Sequence, residues 1–478
     1  MQTLTVHTVR NNKKVRKSAK DFRIFTGFPM VKDKSFYKNF FSMMVMLVLQ
    51  NVIILSVNLA DNVMVSAYSE DALSGVAAVN QLQFVLQQII MGCGDALVSI
   101  CSQYWGQKRT DPIRSVAKGA FFVGGSIGLL FFLAASLFPH QLVGLFTDAP
   151  AIIDEGVKYI RIIKYTYIVF ALTNIGLAML RSVETIRIAF FVSVSTLCIN
   201  CGINYLLIGG NFGFPRLGVK GAAIGTLCAR CVELIIVVCY IFLGDKKLGA
   251  KVSRLFQADK VLVFDYIRHC KFFIIVAALF GTSTALQTVI LGHMNDAAIA
   301  ANAASNSLFQ MLKVASIGAS SSAAVMIGKA VGLGDMKVIK SYTRTLQVIF
   351  LCIGALTSTL LFFLRVPVLS LYNNLSTEAL EMANAFLLVL CFTGFGTAYE
   401  MPTLIGIVRG GGDSRFVFCN DLISIFGITL PLSFLAAFVF HWSPAVVVLC
   451  LNSDQVFKCG AAFIKANSYT WLRKLTRA

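Results

Sequence analysis

The chain has 478 residues, 57% of them hydrophobic and only 14% charged, where soluble domains carry about 25% charged residues. That balance excludes an ordinary soluble fold and points to many membrane crossings. The formal charge of +19 would suggest nucleic acid in a soluble protein, but its placement between apolar segments argues against that partner and follows the bias of cytoplasmic loops.

Residues 1–35 form a basic tail (Lys13, Lys14, Arg16, Lys17, Lys20, Arg23), expected to lie near anionic headgroups. The first apolar run begins near residue 40 and is too long for a cleaved signal. A span needs about 20 mostly apolar residues. Twelve windows qualify: residues 40–67, 75–104, 116–138, 157–180, 188–209, 219–243, 268–292, 297–328, 342–364, 379–408, 416–440 and 444–466.

A charge at the bilayer centre costs about 2.5–3.5 kcal/mol on insertion scales, so acids inside these windows are functional candidates. Span 1 carries Asp61, the leading one, because a carboxyl group away from water suits alternate occupation by a proton and a cation. Span 2 has Asn80, Gln81 and Asp95, the last available to line a cleft or to pair with another helix. Asn200 and Asn204 stand four apart on span 5, hence on one helix face, where they would complete an oxygen-rich pocket with Asp61. Thr226 on span 6 is a weaker addition. Helix–helix hydrogen bonding by these amides is the competing reading. Arg230 and Glu233, three apart, make a local ion pair.

After the linker 244–267, span 7 has Gln287 and span 8 has Lys313, a neutralising partner for Glu400 or Asp421. Glu400 on span 10 is followed by Pro402, whose missing N–H frees a carbonyl and kinks the helix. Asp421, early in span 11, is placed to snorkel toward the cytoplasm. The pairs Cys198-x-x-Cys201 and Cys228-x-x-Cys231 lie in apolar helices and read as small hydrophobes at helix contacts rather than zinc ligands. Five dispersed histidines make no metal cluster, there is no Walker-type phosphate loop, and no nucleophile–base pair stands out. Neither catalysis nor a cofactor is expected.

One pattern occurs twice. Asn80, Gly92 and Gly106 recur as Asn306, Gly318 and Gly332, each 226 positions later. Arg181-Ser-Val-Glu184-Thr-Ile-Arg187 is echoed by Arg409-Gly-Gly-Gly-Asp413-Ser-Arg415 with a two-residue slip. The mate of Asp61 is Gln287, so the acid belongs to the first half alone. Duplicated apolar halves are how many secondary transporters are built. The expected fold is an all-α integral membrane protein of twelve transmembrane helices in two six-helix lobes, residues 36–243 and 268–466, followed by a tail, 467–478. Six spans per half is an even number, so the lobes are related by a pseudo-two-fold axis along the membrane normal. Lys and Arg concentrate at both ends and after spans 2, 6, 8 and 10, which puts both termini in the cytoplasm. Arg216 and Lys220 are the exception.

These segments together resemble the bacterial type of the multidrug and toxic compound extrusion (MATE) family. The matching stretches are Val57-Asn-Leu-Ala-Asp61-Asn-Val-Met-Val65, Ser102-Gln-Tyr-Trp-Gly106, Asn200-Cys-Gly-Ile-Asn204 and Gly218-Val-Lys-Gly-Ala-Ala223. In the second half they are Leu404-Ile-Gly-Ile-Val-Arg409-Gly-Gly-Gly-Asp413-Ser-Arg415 and Trp471-Leu-Arg-Lys-Leu-Thr476, and the resemblance spans about residues 36–476.

The resemblance implies an exporter in the cell membrane that exchanges amphipathic, cationic compounds for protons or sodium ions by alternating access. It maps the family's span-1 aspartate onto Asp61 and its span-5 Asn-x-x-x-Asp pair onto Asn200 and Asn204, the second acid being an amide here. A span-7 glutamate of some branches falls near Ala277, and a span-10 acid of the sodium-driven branch near Ala398. Glu400 is two residues on and faces about 200° away. A sodium ion at Asp61 is then the only metal expected. Cargo is expected between the lobes, near Asn80, Gln81, Asp95, Gln287 and Glu400. The expected partners are small molecules and the lipid bilayer, with the chain acting as a monomer. A flippase of lipid-linked saccharides and a non-transporting receptor or scaffold on the same fold are the alternatives.

Overall fold

The computed structural model describes residues 30–477 apart from 246, 249–258, 293, 295 and 371–375. The basic tail up to residue 29 and residues 246 and 249–258 of the linker therefore lie outside the described residues. Hydrocarbon offers no water to the backbone, so each span must satisfy its own N–H and C=O groups. The described residues do this in twelve long helical elements. In the first half they are α1 (Lys34–Ser66), α2 (Glu70–Gly106), α3 (Thr110–Leu137), α4 (Pro150–Ile163 and Tyr165–Ser182, bent by 50°), α5 (Arg187–Leu207) and α6 (Val219–Gly244). In the second they are α7 (Lys260–Gly292), α8 (Asp296–Leu333), α9 (Met336–Leu369), α10 (Thr377–Arg409), α11 (Ser414–Val439) and α12 (Pro444–Ser468). Among the described residues ten of these helices, and the bent pair α4 as an eleventh, are long and apolar enough to cross a membrane. The 33 residues of α7 reach about 50 Å at 1.5 Å per residue, well beyond a core of about 30 Å.

Several helices begin earlier than the apolar windows, because polar caps rather than hydropathy set their first turns. The Ser35 N–H donates to Asp33 Oδ1 at 2.8 Å and the Lys337 N–H to Asp335 Oδ1 at 2.8 Å, which satisfies end groups no helical partner reaches. The window 157–180 also missed the joint at Lys164 in α4 and the short helix Pro139–Gly144 before it.

Buried apolar residues form three clusters. One lies inside the first lobe, around Tyr167 and Ile160, and one inside the second, around Phe386 and Leu390. The third joins the lobes and includes Phe40, Tyr104, Tyr266 and Phe350. Across that joint α2 packs on α8, while α1 packs on α8 as α7 packs on α2. These are repeat-related pairs, as an axis along the membrane normal requires. Large apolar side chains such as Phe122, Leu130, Phe191, Phe363 and Phe392 are exposed and supply the lipid-facing surface.

The lobes meet tightly at the end that carries the start of α1 and the segment after α12. There the repeat mates Gly106 and Gly332 bring α2 and α8 together backbone to backbone. A Cβ on Gly106 would stand 2.2 Å from the Lys329 carbonyl oxygen, and one on Gly332 would stand 2.0 Å from that of Gln103. The segment after α12 lies across this joint. Trp471 is fully buried against Gly411 of the second lobe. Gln103 of α2 donates to Arg473 O at 3.1 Å and accepts from Leu475 N–H at 2.8 Å. Arg477 pairs with both oxygens of Asp265 on α7. Glu184, at the end of α4, adds an ion pair of 2.8 Å to Lys329 of α8.

Candidate functional site: a carboxamide-lined cavity and a carboxylate pocket beside it

Above this seal the lobes part and leave a cavity of about 450 Å³. Its first-lobe wall comes from α1, α2, α4, α5 and α6, and its second-lobe wall from Ile317, Ser320 and Ser321 on α8 with Met401 and Ile405 on α10. Asn51, Asn58 and Asn62 fall on one face of α1, and Asn80, Gln83 and Gln87 on one face of α2, because spacings of three, four and seven return to the same side of a helix. Gln50, Gln81 and Asn174 complete the set.

The floor is an ion-pair cluster. Asp95 accepts from Arg181 of its own lobe at 2.9 Å and from Arg409 of the other. Arg181 also reaches Ser321, the repeat mate of Asp95, at 3.5 Å. The guanidinium of Arg409 lies 4.3 Å from the centre of the Phe273 ring, and the Ser99 hydroxyl donates to its carbonyl at 3.1 Å. Pro402 places Arg409 here. Lacking an N–H, it opens a run of π turns over Pro402–Arg409, ended by Gly410 N–H donating to Ile405 O at 3.2 Å.

Beside the cavity, inside the first lobe, a pocket of about 40 Å³ contains Asp61. Asp61 Oδ1 accepts from Asn204 Nδ2 at 2.6 Å, Asn200 Oδ1 accepts from the same amide at 3.3 Å, and Asn200 Nδ2 donates to Thr226 Oγ1 at 3.2 Å. The oxygen-rich group read from the i, i+4 spacing is therefore assembled. Gly225 makes room for it, since a Cβ there would come 2.1 Å from Asn204 Oδ1. That oxygen is buried without a partner. One carboxylate with amide and hydroxyl oxygens suits a proton or a hard cation. Arg230 lines the same pocket but is held by Glu233 at 2.8 Å.

Of the residues expected around cargo, Asn80, Gln81 and Asp95 line the cavity, whereas Gln287 and Glu400 are not brought to it. Gln287 donates to Ser283 on its own helix at 3.3 Å. Glu400 turns into the second lobe, toward Lys458, Lys313, Asp421 and Asp454, while its neighbour Met401, about 100° around the helix, faces the cavity. Asp421 does not snorkel outward. It pairs with Lys458 at 2.9 Å, as does Asp454 at 3.0 Å, and Lys313 is not its partner.

Two features escaped the sequence reading. The carboxamide face was seen only at Asn80 and Gln81, although the helical spacing of Asn58, Asn62, Gln83 and Gln87 was available. The Asp95 clamp was also missed. Its signal was the echo of Arg181 by Arg409, which places two repeat-related arginines on one axis.

The MatE family model matches residues 47–206 and 273–435 of the chain. The "Uncharacterized transporter YisQ" of Bacillus subtilis is 23% identical over 427 residues, 87% of this chain and 90% of its own. The "Probable multidrug resistance protein NorM" of Bacillus cereus is 26% identical over 428 residues, 87% of this chain and 91% of its own. Among solved structures, a mutant form of the Vibrio cholerae MATE transporter VcmN superposes with a TM-score of 0.83 at 18% identity, covering 92% of this chain and 98% of that one.

Proposed function

The chain belongs to the MatE family, and from that premise we propose that it is a secondary active multidrug efflux antiporter of the cell membrane. It exports amphipathic small molecules in exchange for protons or sodium ions. The NorM relative, named for multidrug resistance, supports the cargo class. With the basic connections inside, the sealed end is cytoplasmic and the cavity faces outward. Both lobes of one chain wall the cavity, so a monomer suffices.

One observation carries the coupling. Asn58, Asn80, Gln83 and Arg230 line both the cavity and the Asp61 pocket. An ion that rearranges the pocket therefore moves groups that touch cargo, and reciprocity between two sites follows. When Asp61 takes up a proton it gains an O–H donor, and the partnerless Asn204 Oδ1 is an acceptor next to it. Rotation of the Asn204 amide to meet that donor reverses the α5–α1 bond and breaks the bond to Asn200 within α5, so Asn200 must find another donor and its bond to Thr226 of α6 shifts with it. A sodium ion drawn to the same oxygens has the equivalent effect. Cargo affinity falls, and the outward-facing state releases it.

Transport of fluorescent amphipathic compounds, cationic and neutral, into everted vesicles tests this. Asp61→Asn, which keeps the shape and removes the titrating group, should abolish accumulation driven by imposed pH and sodium gradients. Undiminished accumulation by the variant refutes the scheme.

A further inference from the structure

The cavity lining also bears on what it accepts. Nine of its thirty residues are Asn or Gln. Asn51 and Asn174 spend their N–H groups on backbone carbonyls one turn back, at 2.8 and 2.9 Å. The side chains of the other seven make no hydrogen bond with the protein among the described residues. The charged groups, by contrast, are taken. Asp95 lies between Arg181 and Arg409, and Glu233 is held by Arg230. The lining thus holds two carboxylates and two guanidiniums, with Arg409 behind Asp95, and neither carboxylate is free to pair with a cation. Aromatic faces are few. Phe84 and Phe170 line the cavity, and Arg230 already stands 5.1 Å from the Phe170 ring centre.

We propose that the preferred cargo is an uncharged amphipathic molecule rich in hydroxyl or amide groups, such as a glycoside of an aromatic compound, and not a lipophilic cation. This replaces the expectation of cationic cargo and rests on the transport reading above. Each free carboxamide offers both donors and an acceptor, so a row of them meets alternating hydroxyls on a neutral molecule. A permanent cation would leave water for a site whose lining carboxylates are both already paired, which is costly. A volume of about 450 Å³ lies within the 300–1,000 Å³ range of pockets for drug-sized ligands.

Isothermal titration of the full-length detergent-solubilised protein with 4-methylumbelliferyl glucoside and with ethidium decides between them. Asn62→Leu and Gln87→Met alter the cavity but not the Asp61 pocket. The glucoside should bind more tightly than ethidium, and each substitution should weaken it about three- to tenfold, the worth of one hydrogen bond. Ethidium should be insensitive to both. Gln87→Glu adds the unpaired carboxylate that is missing and should raise ethidium affinity above that of the parent. Tighter ethidium binding by the parent overturns the inference, as does glucoside binding that is absent or indifferent to these substitutions. Gradient-driven flux in proteoliposomes separates the two readings. Glucoside binding that no gradient converts to flux counts against antiport and leaves the cargo class standing; driven ethidium flux with tight ethidium binding does the reverse.

Discussion

Asp95 offers the sharpest test of how the sealed end is held. Asp95→Asn keeps the side chain's shape and removes the charge that joins Arg181 of the first lobe to Arg409 of the second. Losing one partner of a fully buried pair costs about 3–5 kcal/mol, and an exposed pair about 0–1 kcal/mol. The side chain of Asp95 is 31% exposed and that of Arg409 only 9%, so the cost to the sealed state is about 2 kcal/mol. At 1.4 kcal/mol per tenfold, the ratio of sealed to unsealed molecules should fall about 30-fold. Spin labels at Asp111→Cys and Lys337→Cys, in the first turns of α3 and α9, report it by pulsed electron resonance after the native cysteines are replaced. The substitution should add a longer distance to the distribution. If the distribution is unchanged, the glycine contact and the C-terminal segment hold the lobes unaided, and the clamp is not a gate.

Gly332→Val places side-chain atoms where a Cβ alone would meet Gln103 O at 2.0 Å. It should separate the same label pair more fully than Asp95→Asn and stop transport. In the second lobe, Lys458→Met leaves Asp421 and Asp454 without their ammonium while their side chains are only 18% and 15% exposed. A loss of about 3–5 kcal/mol follows, read as a lower melting temperature in detergent, and adding Asp421→Asn should recover part of it. Trp471→Ala removes a fully buried side chain from the bridging segment. It should cost about 3–5 kcal/mol, seen as faster thermal inactivation, with increased cleavage by protease after residue 468.

The spans were legible because hydrocarbon demands long apolar runs, and their ends were not, because single polar caps such as Asp33 and Asp335 decide where a helix starts. Asp61, Asn200, Asn204 and Thr226 were legible as a group because an i, i+4 pair must share a helix face. Asp95 was legible as a candidate but not as a clamp, since its second partner lies 314 positions away and only packing brings α10 to α2. Glu400 shows the opposite failure. Its charge drew attention, yet a rotation of one residue hands the cavity to Met401. Charges dominated the reading of span 2, and the uncharged face of Asn80, Gln83 and Gln87 was the more informative pattern.

The wall common to the two compartments also constrains how this protein can diverge. A substitution at Asn58, Asn80 or Gln83 that admits a new compound alters the energetics of the driving ion as well, so most such changes should be purged. Asn62, Gln87 and Asn174 touch the cavity alone, so changes there alter the cargo without altering the ion. New cargo preferences should therefore arise on one flank of the chamber, while the flank next to Asp61 stays the same from lineage to lineage.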